Sequence, residues 1–366
     1  REGNNTQSGR TLGNTTEGGS TNYYGGSYGG LGGHWSTGSA NAAYGDLTSP
    51  NELGSGGGGY DGGRRGGNGG GLVRIQAGSL LLDGIIVADG MAEAYGGGSG
   101  GGIWIDVGNL SGSGSMSARG GESVHDYGGG GGGRIAVYYD TLSLPAENLS
   151  AGGGISYDGR YAERNGGAGT VYLKDNTQAY GDLRVGNGGL ATSNQTAVPG
   201  GEYRSVVVQG GARIAMDEVF TTEAELVLEG SQLDVPGDLM LPGDLVLSGS
   251  RLSVPGRLTF PGLLVLENSY LNVGVGSLEL PGDFAPNGSE VILPGGLVVA
   301  GDLVMTGSSL TVTDSLNVTG TLDLREQSVL SHAGTTTSTE SRLDLQALSV
   351  VIDATSRIDV SGRGYL

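Results

Sequence analysis

Short runs of alternating apolar and polar residues recur along the chain, each bounded by glycine: LVRIQ, IWIDV, RIAVYY and TVYLK. Alternation with a period of two is the pattern of a half-buried strand. In the first run Leu72, Arg74 and Gln76 share one face and Val73, Ile75 and Ala77 the other. No stretch keeps apolar residues at a 3.6-residue period, so the pattern predicts an all-β chain. The runs sit inside a longer repeat: GGGLVRIQAGSLLLDGIIVADG, GGGIWIDVGNLSGSGSMSARGG and GGGRIAVYYDTLSLPAENLSAGG follow one another with Gly71, Gly102 and Gly133 at steps of 31, and GGAGTVYLKDNTQAYGDLRVGNGG forms a looser fourth copy. One copy cannot bury its own apolar face, and must stack on the next.

Beyond Gly210 the period shortens. Ser231, Ser250, Ser269, Ser289 and Ser308 follow one another at steps of 19, 19, 20 and 19, each flanked by short apolar strands and by Pro-Gly, Gly-Ser or Asn-Ser corners. That spacing predicts an elongated right-handed parallel β-helix, a β-solenoid, with a glycine-rich N-terminal layer; the handedness follows from the general rule for parallel crossovers. Three segments are expected. Residues 1–68 form a glycine- and tyrosine-rich segment packing on the solenoid or on a neighbouring unit. Residues 69–200 carry the 31-residue coils, and 201–366 the shorter ones. The closing stretch, LDLQALSVVIDATSRIDVSGRGYL, is similar to the second half of a 31-residue coil, and a glycine cluster is the expected continuation. The C-terminal end of one unit is therefore expected to continue into the next, covering strand edges that would otherwise be unpaired.

Composition narrows the function. Of 366 residues 78 are glycine, and 57 of these precede residue 201 in clusters rather than at every third position, which excludes collagen. The clusters are expected to be ordered, as polyproline-II-like strands held by weak Cα–H···O contacts. The net charge of −19 repels phosphate and argues against nucleic acid as a partner. No apolar stretch is long enough for membrane insertion by a helix. Cysteine is absent and Lys174 is the only lysine, a balance that suits a secreted or cell-surface bacterial protein and leaves almost no lysine for side-chain cross-links.

Candidate chemistry is sparse. Asp244, Asp283 and Asp302 stand at corresponding corners of the short coils, with Leu263 and Thr321 interrupting the column. Stacked carboxylates suit Ca²⁺, the one metal these residues bring into question, or the catalytic pair of a polysaccharide-degrading β-helix enzyme; an aspartate after glycine is more commonly a turn residue that accepts from backbone amides, and that is the reading expected here. Histidines 34, 125 and 332 lie far apart and do not form a zinc pattern. No nucleophile elbow or nucleotide loop stands in the required strand-to-helix context, and no catalysis is expected. Tyr23, Tyr24 and Tyr28 lie among glycines, where rings plug gaps in the fold's own packing, meet a neighbouring copy, or stack on sugars. With Ile358, Val360, Tyr365 and Leu366 at the other end, they are the expected interface residues.

The phrases TLGNTTEGGS, GGSYGGLGG, ELGSGGGG, GGGSGGGIWI, GGGGGGRIAVYY, GGAGTVYLK and IDVSGRGYL together resemble the glycine-rich repeat modules of very large secreted bacterial adhesin-like surface proteins. The resemblance covers about residues 6–175 and the final ten, and implies an extracellular, repeated structural or adhesive module without catalytic residues. The expected function is a repeating unit of an extracellular filament or giant surface adhesin that binds copies of itself head to tail. A carbohydrate-binding or cell-attachment module, with surface polysaccharide as partner, is the alternative, and a polysaccharide-degrading enzyme the third reading.

Overall fold

The computed structural model describes residues 8–35, 38–60 and 64–365. These residues are all-β with mostly parallel sheets; the only helical elements are two 3-10 turns, Leu12–Asn14 and Ala146–Asn148. The chain divides into two compact units. The first comprises residues up to Pro199 together with Tyr203–Ala215, and the second Gly200–Glu202 together with Met216 onward. The glycine- and tyrosine-rich opening segment thus belongs to the same unit as the long coils.

In the first unit, strands β1 (Leu72–Leu81), β3 (Gly102–Ser111), β5 (Arg134–Leu142) and β7 (Thr170–Asp175) pair in parallel, and β2 (Ile85–Val87), β4 (Ser115–Ser117) and β6 (Leu149–Ser150) form a second parallel sheet. Ile103, Ile105, Val107 and Leu110 of β3 and Ile135 and Val137 of β5 point inward, where Met116 and Leu149 from the second sheet meet them in one buried cluster. The register corrects the expected 31-residue step. Leu72 pairs with Gly102 and Gly102 with Arg134, steps of 30 and 32. Aligning the glycines would have placed Ile103 beside Leu72 on the outer face. Because a one-residue slip flips every side chain, the inward set Val73, Ile103 and Ile135 decides the register instead. The fourth copy is also different: β7 turns back into β8 (Asp182–Gly186) as an antiparallel hairpin. The Asp175 carboxylate starts that turn, accepting from the Thr177 amide at 2.8 Å and its hydroxyl at 2.7 Å.

The glycine clusters form an ordered layer with a period of three. From Gly128 to Gly133 successive amides donate to Tyr23, Arg164, Gly121, Gly26, Gly167 and Ala118, so that every third residue returns to the same neighbouring segment. From Gly96 to Gly101 the partners are Gly58, Gly128, Met91, Ser55, Gly131 and Ala88, again in threes. Three residues per turn is the geometry of a polyproline-II chain, which places consecutive N–H groups about 120° apart and lets one segment bond to three around it. Ordinary N–H···O bonds of 2.7–3.2 Å are therefore the main tie. The Cα–H contacts add to them: the Cβ direction of Gly130 points straight at the Gly98 carbonyl oxygen, and that of Gly97 at Gly121. No side chain larger than hydrogen fits at either position. Buried polar residues complete the layer, with Asn41 accepting from the Ser27 amide at 2.8 Å and donating to the Ser27 carbonyl at 2.9 Å.

The second unit is built from 19- to 20-residue coils up to Val329. The last coil departs from the expected spacing: Val329 pairs with Arg357, a step of 28, because the segment 332–342 is inserted before the strand Leu343–Ile352. Strands Gln232–Asp234, Arg251–Val254, Tyr270–Val273, Glu290–Leu293, Ser309–Val312, Val329–Ser331 and Arg357–Ile358 pair consecutively in parallel. Leu233, Leu252, Leu271, Val291, Leu310, Leu330 and Ile358 consequently stack in one column, buried except at its last member. The serines at the corners form a second column. Each hydroxyl from Ser250 to Ser328 accepts from the amide of the preceding serine at 3.0–3.2 Å, and those of Ser250, Ser269, Ser289, Ser308 and Ser328 also donate to a nearby carbonyl. The column ends on Ser356, whose hydroxyl accepts from Ser328.

Candidate functional site: sheet edges and a tyrosine cluster

Of the strands that end a sheet among the described residues, the two longest are β1 and Leu343–Ile352. β1 is the first strand of its sheet and bonds only to β3, and Leu343–Ile352 bonds only to Asp314–Arg325. Both are apolar yet open. Leu81 is 70% exposed and Ile85, in β2 beside it, 69%; Leu348 is 83% exposed, and Val350, Val351 and Ile352 are also open to solvent. Val350 and Ile352 stand beside the buried Leu322 and Leu324 and are core positions left open, whereas Leu81, Ile85 and Val351 pair with Ser111, Ser115 and Asp323 and are apolar residues on the outward face. Of the expected interface residues, Ile358 and Val360 lie on this open coil, with Ile358 ending the leucine column. Tyr365 is 83% exposed, its hydroxyl bonding Glu340 at 2.9 Å; Leu366 lies outside the described residues.

The tyrosines expected at an interface pack mainly on their own unit. Tyr28 is fully enclosed against Tyr44 and Arg134, which corrects its assignment as a contact residue. Burial drives its pKa up to about 12, and burial pushes the neighbouring Arg134 down. Tyr24 is half-buried and donates to the Trp35 carbonyl at 2.7 Å. Tyr23 stacks between Tyr60 and Tyr127, centroids 5.1 and 4.3 Å away, with Tyr95 tilted at 5.5 Å. Trp35 and His125 meet Tyr127 edge-on, and Arg164 lies 4.2 Å over Trp35 and 4.1 Å over Tyr161. The rings chiefly satisfy one another, and the open members are Tyr60, Tyr161 and His125. Trp35, Arg164 and Tyr161 went unrecognised in the sequence. A partial signal exists for the stack: Tyr95 and Tyr127 each directly precede a glycine run, 32 residues apart, the same step that pairs β3 with β5.

The aspartates act as turn acceptors. Asp244 takes the Leu263 amide at 2.8 Å, Asp283 the Asp302 amide at 2.8 Å, and Asp302 the Thr321 amide at 2.7 Å; Asp238 does the same for Arg257. Each carboxylate occupies the place where a Cβ would stand on the glycine 18 residues on, at Gly262, Gly301, Gly320 and Gly256. The residues that interrupted the expected column, Leu263 and Thr321, are thus the donors that use it. Among the described residues no three His, Asp or Glu side chains converge as a metal site. No family model, curated protein or solved structure matches the chain.

Proposed function

We propose that this chain is a right-handed parallel β-solenoid whose role is mechanical: a repeating unit of an extracellular filament or giant bacterial surface adhesin that joins copies of itself end to end. The observation that carries this reading is the pair of open apolar edges, β1 and Leu343–Ile352. An exposed, long apolar edge is a template for another strand, and monomeric proteins normally blunt it with lysine, proline or a covering loop. Neither edge strand contains lysine or proline. The in-register coils of the second unit support the solenoid, and the acidic surface keeps separate fibres apart while their ends meet. Load along such a rod would be shared by many backbone hydrogen bonds, which suits a chain without disulfides.

Electron microscopy of the purified chain over a range of concentrations tests the proposal. Rods with an axial repeat of one unit are expected, and isolated particles at every concentration would contradict it. A second reading, carbohydrate binding, rests on the open rings of Tyr60 and Tyr161 at the rim of the aromatic cluster. Retention on a polysaccharide column that is lost in Tyr60→Ala with Tyr161→Ala would favour it.

A further inference from the structure

We infer that the end-to-end contact has one register: Leu343–Ile352 of one copy pairs in parallel with β1 of a second copy at a constant offset of 270, Leu345 beside Ile75 and Ile352 beside Leu82. The inference rests on the assembly reading above and adds the partner strand, its direction and its alignment.

The argument begins with the spacing of inward residues. In the 19-residue coils these follow steps of two, four and two, as in Leu297, Val299, Leu303 and Met305, all fully buried. The strand Asp314–Arg325 keeps that rule with Leu316, Val318, Leu322 and Leu324. Its neighbour does not. Leu345, Ala347, Val350 and Ile352 face the same interior at steps of two, three and two, and the ladder between the two strands has to shift register between Val318 and Thr321 to absorb the missing residue. The three-residue step belongs to the glycine-rich unit, where Val107 to Leu110 and Ala77 to Leu80 show it. Ile75, Ala77 and Leu80 of β1, with Leu82 just past its end, repeat the steps of the terminal strand in full. The last coil of the second unit is therefore spaced to stack on a coil of the first type. β1 is such a coil with an open edge.

The outward positions agree. At the same offset Gln346 falls beside Gln76, Ser349 beside Ser79 and Asp344 beside Arg74. The last is an opposite-charge pair in an otherwise acidic protein. Arg74 now lies 4.2 Å over the Trp104 ring, and Asp344 is held only by the exposed Arg342 at 3.1 Å. Past the turn, which is two residues longer in the terminal coil, Ile358 falls beside Ile86 and Val360 beside Ala88. Ile86 packs against the first unit's core and Ala88 is buried, so the leucine column that stops at Ile358 would run on into the core of the next copy.

The natural absence of cysteine makes the test direct. Chains carrying Gln76→Cys alone and Gln346→Cys alone are mixed under mild oxidation and resolved on a non-reducing gel. Paired residues in a parallel ladder stand about 4.8 Å apart, within disulfide reach, whereas residues shifted by two stand about 8 Å apart, outside it. The expected result is a mixed dimer at least tenfold more abundant than with Gln76→Cys and Asp344→Cys or with Gln76→Cys and Leu348→Cys. Arg74→Asp and Asp344→Arg should each weaken association two- to fivefold, about the effect of one exposed ion pair, and mixing the two variants should restore it, because every junction between unlike copies then carries an opposite-charge pair. Rods in the microscope with a shifted pair cross-linking best, or with none, would overturn the register and leave the assembly reading standing. Neither rods nor cross-links would overturn both.

Discussion

In the first unit Gly130 is held by the backbone alone: its amide bonds Gly121, its carbonyl takes Gly154, and its Cα–H faces the Gly98 carbonyl. In the second unit Leu252 occupies the equivalent of that interior position, between Leu233 and Leu271 in a column of side chains, while the backbone bonds lie in the sheets around it. Both regions stack coils in register, but what fills the space between chains differs. One removes the side chain and lets backbone meet backbone in three directions. The other keeps backbone contact to two sheet directions and fills the interior with leucine and valine. The first solution ties the layer with backbone N–H···O bonds and little apolar area, so its order depends on a close backbone fit that those bonds require. The second obtains stability from area removed from water and tolerates small changes in volume.

That contrast can be broken most sharply by adding one methyl group. Gly130→Ala forces a Cβ into fixed backbone on both sides and should cost more than about 4 kcal/mol, enough to unfold the first unit. Gly243→Ala in the second unit meets open space and should change stability by less than about 0.5 kcal/mol; thermal unfolding followed by circular dichroism separates the two. Removing side chain from the second unit has the next largest effect. Leu252→Ala, fully buried, should lower stability by about 2–5 kcal/mol in denaturant titration.

Alkaline pH sharpens the comparison from the other side. The Tyr28 hydroxyl is buried without a hydrogen-bond partner, and its pKa is raised from 10.0 to about 12. A raised pKa means the folded state holds the proton more tightly than the unfolded chain. Stability is then fully present below pH 10 and is lost progressively from 10 to 12, by about 2–3 kcal/mol. Tyr28→Phe should remove that part of the alkaline decline without lowering stability at neutral pH, as unfolding midpoints at pH 8 and 11 would reveal. The smallest loss expected from removing a native contact lies in the serine column. Ser269→Ala orphans the Ser250 amide, while the Glu267 carbonyl keeps the Gly249 amide as donor, and should cost about 1–2 kcal/mol by denaturant titration.

These effects also mark how much could be read from sequence. The serine steps were legible because every coil in that unit spends one residue type on one job, and the hydroxyls meet in the column the spacing implies. The 31-residue step was read one residue out because glycine clusters are conspicuous while the register obeys the inward positions of Ile103 and Ile135. The β7–β8 hairpin lay hidden inside a run that alternates like its parallel neighbours. The three-way pairing of the glycine runs was illegible for a physical reason: glycine has no side chain, so a segment bonded to three partners and a segment bonded to none carry the same letters. For the aspartates the sequence held a usable signal, a glycine 18 residues after each, that makes sense only once the carboxylate is seen in its place. The candidate contact was half legible. Ile358, Val360 and Tyr365 lie on the open coil, whereas the burial of Tyr28 follows from partners far away in the chain.

The most direct test of the central claim is amide hydrogen exchange of the unmodified chain at rising concentration. The account predicts that the glycine runs Gly96–Gly101 and Gly128–Gly133 are protected throughout, while Leu72–Leu81 and Leu343–Ile352 gain protection together as copies join. Exchange at both edges that stays fast and independent of concentration would contradict it.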